Sequence, residues 1–285
     1  MQRAAGARTG WGAALELGRV PQRDALDVAS PNRARMSNYL LGGKDHYGAD
    51  REACQRLLEV VPSARVVAVA AHQFLLRVTS HLAREYGVCQ FVVFGVGLPT
   101  AVGVHQVAQS IDARARVVYA DDDPLALVHC RALWEDWRRT VVQRAGPLEA
   151  GDLLLGPEVR RVIDMRLPVA VTFVSALHSV SGHVAAARML EGVASLLPPG
   201  SFLVASHLVS EEARVRRRAE AVLQQAVGGP GGHAWARSEV ASLFGSLRLL
   251  TPGLVDVSRW RPGSDRVDAA GSSAWSEYGA VAVVG

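Results

Sequence analysis

The stretch that decides the fold of this chain is FVVFGVGLPT, which runs from Phe91 to Thr100. Four residues suited to a buried strand lead into a Gly-x-Gly turn, and Pro99 then suits the first turn of a helix. Glycine accepts positive φ and lets the backbone approach a ligand, so Gly95 and Gly97 predict the first turn of a nucleotide-binding sheet. A simple tight turn is the alternative that this stretch alone leaves open.

Composition places the chain among globular proteins. Of its 285 residues, 49% are hydrophobic and 20% are charged. No apolar run reaches the ~18 residues of a membrane span, and the N-terminal stretch lacks the apolar core of a secretory signal. Cys54, Cys89 and Cys130 have no paired spacing, which is typical of reduced thiols. These features predict a cytoplasmic protein without a membrane partner, and they leave a homo-oligomer open.

The charge pattern argues against nucleic-acid binding. The formal net charge is only +4, and no basic patch is interleaved with aromatic residues. The scattered histidines and cysteines do not have metal-ligand spacing either, so no metal site is predicted. The expected partner is therefore a small molecule.

Apolar β-branched runs alternate with helical periodicity from residue 89 onward, which predicts a mostly parallel sheet covered by helices. The final stretches suit two strands that pair antiparallel at one edge, joined by the loop 263–276. Ser30 is predicted to cap a short first helix, and two amphipathic helices follow it. We predict a flexible arm (1–30), a helical lid (31–88) and an α/β domain (89–285). The predicted strands are Gln90–Phe94, 115–120, 140–143, 168–174 and 200–206, with helices over 49–61, 64–86 and 100–110.

The second predicted strand ends in an acidic triplet. In VVYADDDP, Asp121 follows Gly95 by 26 positions. An acid at this place can accept both hydroxyls of a ribose, and Asp122 would then face an adenine edge. Asp123 before Pro124 is predicted to cap the next helix. The alternative for the whole triplet is the negative charge that commonly precedes a helix.

The turn does not match a dinucleotide fingerprint. Such a fingerprint has a third glycine where this chain has Thr100, and the chain has no G-x-x-x-x-G-K-[ST] phosphate loop. An NAD-dependent oxidoreductase is therefore disfavoured. S-adenosylmethionine carries a ribose but no phosphate, and it suits a sheet that ends in an antiparallel strand pair. The pattern favours S-adenosylmethionine as the cofactor.

Rare residues cluster ahead of the sheet. Lys44 is the only lysine, and Asn32 and Asn38 are the only asparagines. All three fall within PNRARMSNYLLGGKDHYGADR, from Pro31 to Arg51. Either the clustering is chance or the segment needs these particular side chains, and we favour the second interpretation.

The Pro31–Arg51 segment, FGVGLPT, ARVVYADDDP, PVAVTFVSALHSV, PPGSFLVASH and PGLVDVSRWRP together resemble, in this order, one family. It is the actinobacterial S-adenosylmethionine-dependent methyltransferase family once classed as a domain of unknown function. The resemblance covers Pro31 to Val284. It implies a Rossmann-like class I methyltransferase fold, with a mostly parallel seven-stranded sheet, an antiparallel C-terminal strand and an N-terminal helical lid. It implies no known methyl acceptor.

The resemblance also implies which residues bind the cofactor. They come from the lid, the first turn, the end of the second strand and the loop after the fourth: Tyr39, Gly42, Gly43, Lys44, Gly95, Val96, Gly97, Pro99, Thr100, Asp121, Asp122, Ser175, Ala176 and Leu177. His178 follows the fourth strand and is a candidate general base. The alternative for His178 is a hydrogen-bonded residue that supports the loop. His207, after the fifth strand, is expected to be structural.

Three acids of the family pattern are missing. Val93 stands where the family has Asp before the turn, and Val96 replaces a threonine. The third strand leads to Ala145-Gly146 where the family has an Ala-Asp pair. In the lid, the family's YDYLLGG becomes Ser37-Asn38-Tyr39, so another acid is lost. Two functions therefore compete: a methyltransferase for an unknown small-molecule acceptor, and a cofactor-poor relative that acts as a binding or regulatory protein.

Overall fold

The computed structural model describes residues 27–99, 102–227, 232–262 and 274–285. Most of the predicted N-terminal arm lies outside these ranges, as does most of the predicted loop 263–276. Thr100 of the turn also lies outside the described residues, so its predicted role in cofactor binding stays a prediction.

The fold is an eight-stranded sheet in the order β3-β2-β1-β4-β5-β8-β6, with β7 also paired to β8. Strand β8 is antiparallel to its three neighbours, and the pairs among β1 to β5 are all parallel. The strands are β1 (Gln90–Phe94), β2 (Arg116–Asp121), β3 (Thr140–Arg144), β4 (Ala170–Phe173), β5 (Phe202–Val209), β6 (Arg248–Leu249), β7 (Val255–Asp256) and β8 (Ser276–Val283).

This architecture confirms the predicted fold class, with one difference in the strand count. The predicted outer strand is split into β6 and β7, each only two residues long. β6 pairs with Val283 and Ala282, and β7 pairs with Gly279 and Tyr278. The intervening segment contains Pro252 and Gly253, which interrupt a regular ladder. The sheet therefore has eight strands instead of seven.

Ten α-helices are present in the described residues. They are α1 (Arg33–Leu40), α2 (Gly48–Val60), α3 (Ala64–Tyr86), α4 (Val104–Ile111), α5 (Pro124–Trp134), α6 (Ala150–Leu155), α7 (Pro157–Arg160), α8 (His183–Leu196), α9 (Ala213–Val227) and α10 (Arg237–Ser242).

Two predicted helix starts are wrong. Helix α4 begins at Val104, after Gly103, whose backbone N–H donates to the Gln106 side chain at 2.7 Å. Pro99 therefore stands in the turn and not in the first helical turn. Helix α1 is capped by Asn32, whose side-chain oxygen accepts from the backbone N–H of Arg35 at 3.1 Å, and not by Ser30.

Strand β1 runs through the middle of the sheet and is buried on both faces. Val92 and Phe94 belong to one core cluster, and Phe91 and Val93 belong to the other. The Phe94 ring stacks on Phe173 of β4, with 4.7 Å between the ring centroids. Burial on both faces explains why the strand reads as a continuous apolar run.

Helix α3 covers one face of the sheet. By length and composition it is the one helix of the described residues that could cross a membrane. Its Phe74, Val78 and Leu82 are buried in the same core cluster as Phe91 and Val93. Helix α3 falls within the predicted lid segment (31–88), yet it packs as a covering layer of the sheet. Of the three helices in the predicted lid segment, only α1 and α2 lie outside this covering layer.

A buried ion pair anchors this N-terminal segment. The Arg35 guanidinium contacts the Asp50 carboxylate at 2.8 Å, and both side chains are almost fully buried. The Asp50 carboxylate also accepts from the backbone N–H groups of Asn32 and Tyr47, at 2.9 and 2.8 Å. Three donors, from the start of α1, from α1 itself and from the residue before α2, thus meet on one carboxylate.

Replacement of Asp50 by Asn leaves the Arg35 charge buried without its counter-charge. We expect the free energy of unfolding to fall by about 3 kcal/mol, because loss of one partner exposes the desolvation cost of the other. Urea denaturation measures this change. The matched control is Asp45→Asn, at an exposed position of the same segment, which should stay within about 0.5 kcal/mol of the parent. Equal stability of the two variants would contradict the anchoring role.

Candidate cofactor and catalytic site

The turn after β1 and the loop after β4 touch at the centre of the sheet. Gly95 has φ of +71°. A Cβ atom on Gly95 would lie 2.6 Å from the Ala176 Cβ and 3.1 Å from its Cα. Any side chain at position 95 would therefore push the two loops apart. Because β1 lies between β2 and β4, this contact marks the point where strand order reverses, and ligands of such sheets bind there.

Asp121 ties the turn to the end of β2. One oxygen of its carboxylate accepts from the backbone N–H of Gly97 at 2.8 Å, and the other accepts from that of Asp123 at 2.9 Å. Burial raises the pKa of this carboxyl, and the two backbone donors act in the opposite direction. Each oxygen keeps a second lone pair for a ribose hydroxyl. A Cβ on Gly97 would meet no atom of the described residues within 4 Å, so this side of the turn is open toward them.

The other two acids of the triplet have different surroundings. Asp123 caps α5 by accepting from the backbone N–H groups of Leu125 and Ala126, which confirms the predicted cap. Asp122 is exposed, and its carboxylate oxygen lies 3.2 Å from the position of a Cβ on Gly146. Asp122 thus faces the loop after β3, where the family acid is missing. Its predicted contact with adenine stays a prediction.

The lid reaches the turn at two places. The Asn32 side-chain amide donates to the Asp123 carboxylate at 2.6 Å. Ala34 packs in a small cluster with Leu98 of the turn and Ala126 of α5. Helix α1 therefore lies against both the glycine turn and the acidic triplet, and its role as a lid over the cofactor stays a prediction.

Asn38 stabilises the turn formed by the LLGGKD stretch. Its backbone carbonyl accepts from the N–H of Gly43 at 2.8 Å, and its side-chain oxygen accepts from the N–H of Asp45 at 2.9 Å. The Asn38 amide also fills the space that a side chain on Gly43 would need. Gly42 has φ of +80°, which favours glycine. The conformation and packing of this turn therefore explain why positions 42 and 43 are glycines. The cofactor contacts of these two residues stay predictions.

Two further lid residues were predicted to touch the cofactor. Tyr39 is half-buried, with the His46 ring edge-on at 5.0 Å and the Arg65 guanidinium 5.0 Å from its ring centroid. Lys44 is exposed. The described contacts of Tyr39 lie within the lid, so its predicted role and that of Lys44 stay predictions.

Val93 stands where the family pattern has an acid, and it lies beside a buried polar group. Val93 is buried in the apolar core, and its register partner on β4 is Thr172. The Thr172 hydroxyl is buried and has no hydrogen-bond partner among the described residues. Register partners of parallel strands point to the same face, so a carboxylate at position 93 would stand beside this hydroxyl. Val96 is half-buried and packs on the same core cluster.

The loop after β4 is held by a buried acid. Ser175 has a left-handed φ of +52°, which is strained for a residue with a Cβ. Its hydroxyl donates to the two oxygens of Glu277 at 2.6 and 2.8 Å, and its N–H donates to the Ser206 hydroxyl at 3.1 Å. Ser206 donates in turn to Glu277. Burial raises the pKa of Glu277, which is 2% exposed.

Ala176 and Leu177 complete this loop from the inside. Ala176 is buried against Gly95, and Leu177 is fully buried in the sheet core. The Leu177 side chain therefore points away from the crevice, so a ligand could meet only its backbone.

His178 stands at the end of the same loop. Its Nδ1 lies 2.9 Å from the Ser175 carbonyl oxygen, which can only accept, so Nδ1 carries the proton and Nε2 has the free lone pair. Burial, and then the charge of Arg33, lower the pKa of His178 to about 4. The ring is thus neutral near pH 7. Both sequence interpretations of His178 are compatible with this geometry, because one nitrogen supports the loop and the other is available.

Two residues of the site were missed by sequence reasoning. Glu277 left a signal, because it is an acid at the start of the apolar run EYGAVAVV. Arg33, whose charge acts on both His178 and Asp122, left none in a chain so rich in arginine. His207 is buried, stacks on Trp235 with 3.6 Å between the ring centroids, and bonds to the His233 carbonyl. It has the structural position that was expected.

The strand order, the glycine turn at its reversal point and the acid at the end of β2 together define a methyltransferase-type sheet. Comparison with known proteins agrees. The chain belongs to the S-adenosyl methyltransferase family, whose model matches residues 19–285. The predicted family and the predicted cofactor, S-adenosylmethionine, are confirmed.

Two solved structures resemble most of the chain. One is a "putative methyltransferase" from Thermobifida fusca YX, with 32% sequence identity, a TM-score of 0.82, and coverage of 93% of this chain and 99% of that chain. The other is a DUF574 family protein from Streptomyces avermitilis MA-4680, with 32% identity, a TM-score of 0.81, and coverage of 91% and 99%. A comparison with curated proteins gives no match.

Glu277 is expected to hold Ser175 in its left-handed conformation. Glu277→Gln should lower the free energy of unfolding by about 2 kcal/mol, because it disturbs a buried set of charge-assisted hydrogen bonds. In a Ser175→Gly background, where left-handed φ carries no strain, the same replacement should cost about half as much. Urea denaturation of the four proteins gives both costs. Equal costs in the two backgrounds would show that Glu277 does not act through Ser175.

Proposed function

We propose that this chain transfers a methyl group from S-adenosylmethionine to a small-molecule acceptor. One observation carries the proposal: the Gly95–Gly97 turn, the Asp121 carboxylate and the His178 loop converge where strand order reverses. This is where a sheet of this type binds its ligand.

The residues at this place fit the nucleoside end of the cofactor. Asp121 would accept the ribose hydroxyls, the open side of Gly97 allows close approach, and the loop Ser175–Leu177 backs the crevice. When bound, the cofactor supplies a methyl group activated on a positively charged sulfur. The fit is poorer at the methionine end, because Val93 offers no carboxylate to the cationic amino group.

His178 fits the role of proton acceptor. Its Nε2 has a lone pair near pH 7, because the pKa of the ring is lowered and Nδ1 is committed to the Ser175 carbonyl. Methyl transfer needs alignment above all, and a base is needed only where the acceptor must lose a proton. Glu277 and Ser175 act as positioning residues for this ring.

A second function is favoured by one specific observation. Val93 and Gly146 stand where the family pattern has acids, and the Thr172 hydroxyl beside Val93 has no partner among the described residues. A loss of two charged hydrogen-bond partners would weaken cofactor binding about a hundredfold or more. The fold could then serve in binding or regulation with little cofactor affinity.

Calorimetry with S-adenosylhomocysteine, S-adenosylmethionine and NAD separates these functions. We expect micromolar binding of the first two and none of NAD. Asp121→Asn should weaken S-adenosylhomocysteine at least tenfold, because it removes the charged acceptor of the ribose hydroxyls. Glu191→Gln, at an exposed site on α8, is the matched control and should bind like the parent.

Asp121 also bonds to two backbone groups, so the variant needs a check of its fold. The rise of the melting temperature on adding S-adenosylhomocysteine compares each protein with itself and separates lost affinity from lost stability. No binding of any of the three ligands would refute the methyltransferase proposal and leave the second function.

Val93→Asp tests the account of the missing acid. We expect tighter binding of S-adenosylhomocysteine, by about tenfold, because the carboxylate gains the Thr172 hydroxyl as a donor and faces the cationic amino group. Adding Thr172→Val to this variant should reduce the gain. In the parent, Thr172→Val should stabilise the fold by about 1 kcal/mol, since it removes an unpaired buried hydroxyl. Unchanged affinity in Val93→Asp would refute the account.

A further inference from the structure

A cavity of about 440 Å³ lies beside His178 and is otherwise lined by residues that have no role in the cofactor site described above. Its walls come from the loop after β4, the first residue of α8, helices α9 and α10, and the segment that leads to α10. The volume is within the range of sites for small ligands. His178 belongs to this lining and to the loop behind the cofactor crevice, so it joins the two spaces.

The cavity has apolar walls, to which Val180 and Trp235 contribute, and a smaller polar part. Two histidine–carboxylate pairs face it: His183 Nδ1 is 3.1 Å from Glu239, and His233 Nδ1 is 3.6 Å from Glu220. The described lining has two carboxylates and one guanidinium, that of Arg216. A ligand that donates hydrogen bonds to these carboxylates would fit the polar part of the lining, and a positive charge would strengthen such contacts.

One carboxylate oxygen is available for that charge. Glu239 uses both oxygens, one toward His183 and one for the backbone N–H of Ala236 at 2.7 Å. On Glu220 the Ala234 N–H and His233 both lie on Oε1. No donor of the described residues lies on its Oε2. Glu220 is thus the carboxylate of the lining that has an oxygen without a described donor, and this oxygen is the best placed to receive an ammonium.

We propose that this cavity, called here the acceptor pocket, binds a small amino alcohol or aminophenol. The ammonium would face Glu220, and the hydroxyl oxygen, beside His178, would be the atom that is methylated. This assignment rests on the proposed function, since it names the substrate class of the same site.

The state of His178 selects oxygen over nitrogen. Burial lowers the pKa of His178 to about 4, and an alkylammonium has a pKa near 10. Proton transfer from the ammonium to this ring is therefore unfavourable, and a nitrogen held at Glu220 stays protonated and unreactive. A hydroxyl needs no prior deprotonation, because its proton becomes acidic only as the new bond forms. A weak neutral base then suffices.

The step balances with the groups present. The hydroxyl oxygen forms a bond to the methyl carbon, while the carbon–sulfur bond breaks and leaves its electron pair on sulfur. The hydroxyl proton moves to Nε2 of His178, which has the free lone pair. The products are a methyl ether, a neutral thioether and a protonated histidine that returns its proton to water.

Three related probes test the assignment: tyramine, which has a phenol and an ammonium; phenethylamine, which lacks the hydroxyl; and 4-ethylphenol, which lacks the ammonium. We expect calorimetry at pH 7 on the full chain with S-adenosylhomocysteine to show tyramine binding about tenfold more tightly than 4-ethylphenol. Glu220→Gln should remove that advantage and leave 4-ethylphenol unchanged. Glu212→Gln, at an exposed position just before α9, is the matched control and should alter neither affinity.

Product analysis completes the test. With S-adenosylmethionine, tyramine should give only the methyl ether, and phenethylamine should give no product. An N-methylated product, no binding of tyramine, or a tyramine affinity that Glu220→Gln leaves unchanged would each overturn the assignment. If S-adenosylhomocysteine itself does not bind, the proposed function fails separately. Tyramine binding to the free protein, with the same Glu220→Gln comparison, then still decides the acceptor pocket.

Discussion

The close contact between Gly95 and Ala176 is the constraint on which this site depends. The two residues end neighbouring strands at the centre of the sheet, and there is no room for a side chain between them. Their contact fixes how far apart the β1 turn and the β4 loop can be. Gly97, with its bond to Asp121, and Ser175, with its bond to Glu277, extend from this point in opposite directions. The Gly95–Ala176 contact thus positions both the loop that borders the cofactor crevice and the loop that borders the proposed acceptor pocket.

The lid is attached to this part of the structure by polar contacts as well as by packing. Asn32 caps α1, donates to Asp123 and gives its own N–H to Asp50. A single residue thereby connects the lid helix, the helix after the acidic triplet and the buried ion pair. A substitution in the acidic triplet is therefore expected to affect the start of α1, because the Asn32 side chain contacts both.

Sequence reasoning located the sheet and its turn well because these depend on local pattern. Strand β1 and helix α3 have the predicted bounds, because a continuous apolar run marks β1 and apolar residues at a spacing of three and four mark α3. The start of α4 was missed, because the cap at Gly103 depends on the Gln106 side chain, and Pro99 gave a stronger but misleading signal. His178 was predicted as a candidate base from its place after β4. Which of its ring nitrogens carries the proton depends on the Ser175 carbonyl, a contact that the sequence does not reveal.

The remaining features could not be read from local pattern. Glu277 meets Ser175 and Ser206 across three strands that are far apart in sequence. The acceptor pocket gathers side chains from α8, α9 and α10, each of which alone resembles an ordinary polar surface. Such sites exist only after the strands have paired, and no spacing in the chain announces them.

The split outer strand has a consequence for how copies of this chain can associate. β6 and β7 offer two residues each, so that edge presents no continuous ladder of free backbone groups. At the opposite edge, Thr140 of β3 accepts from the Asp136 N–H, and Val142 donates to the Glu135 carboxylate. In the described residues, neither border of the sheet therefore offers a long ladder of free backbone groups to which a second chain could add a strand.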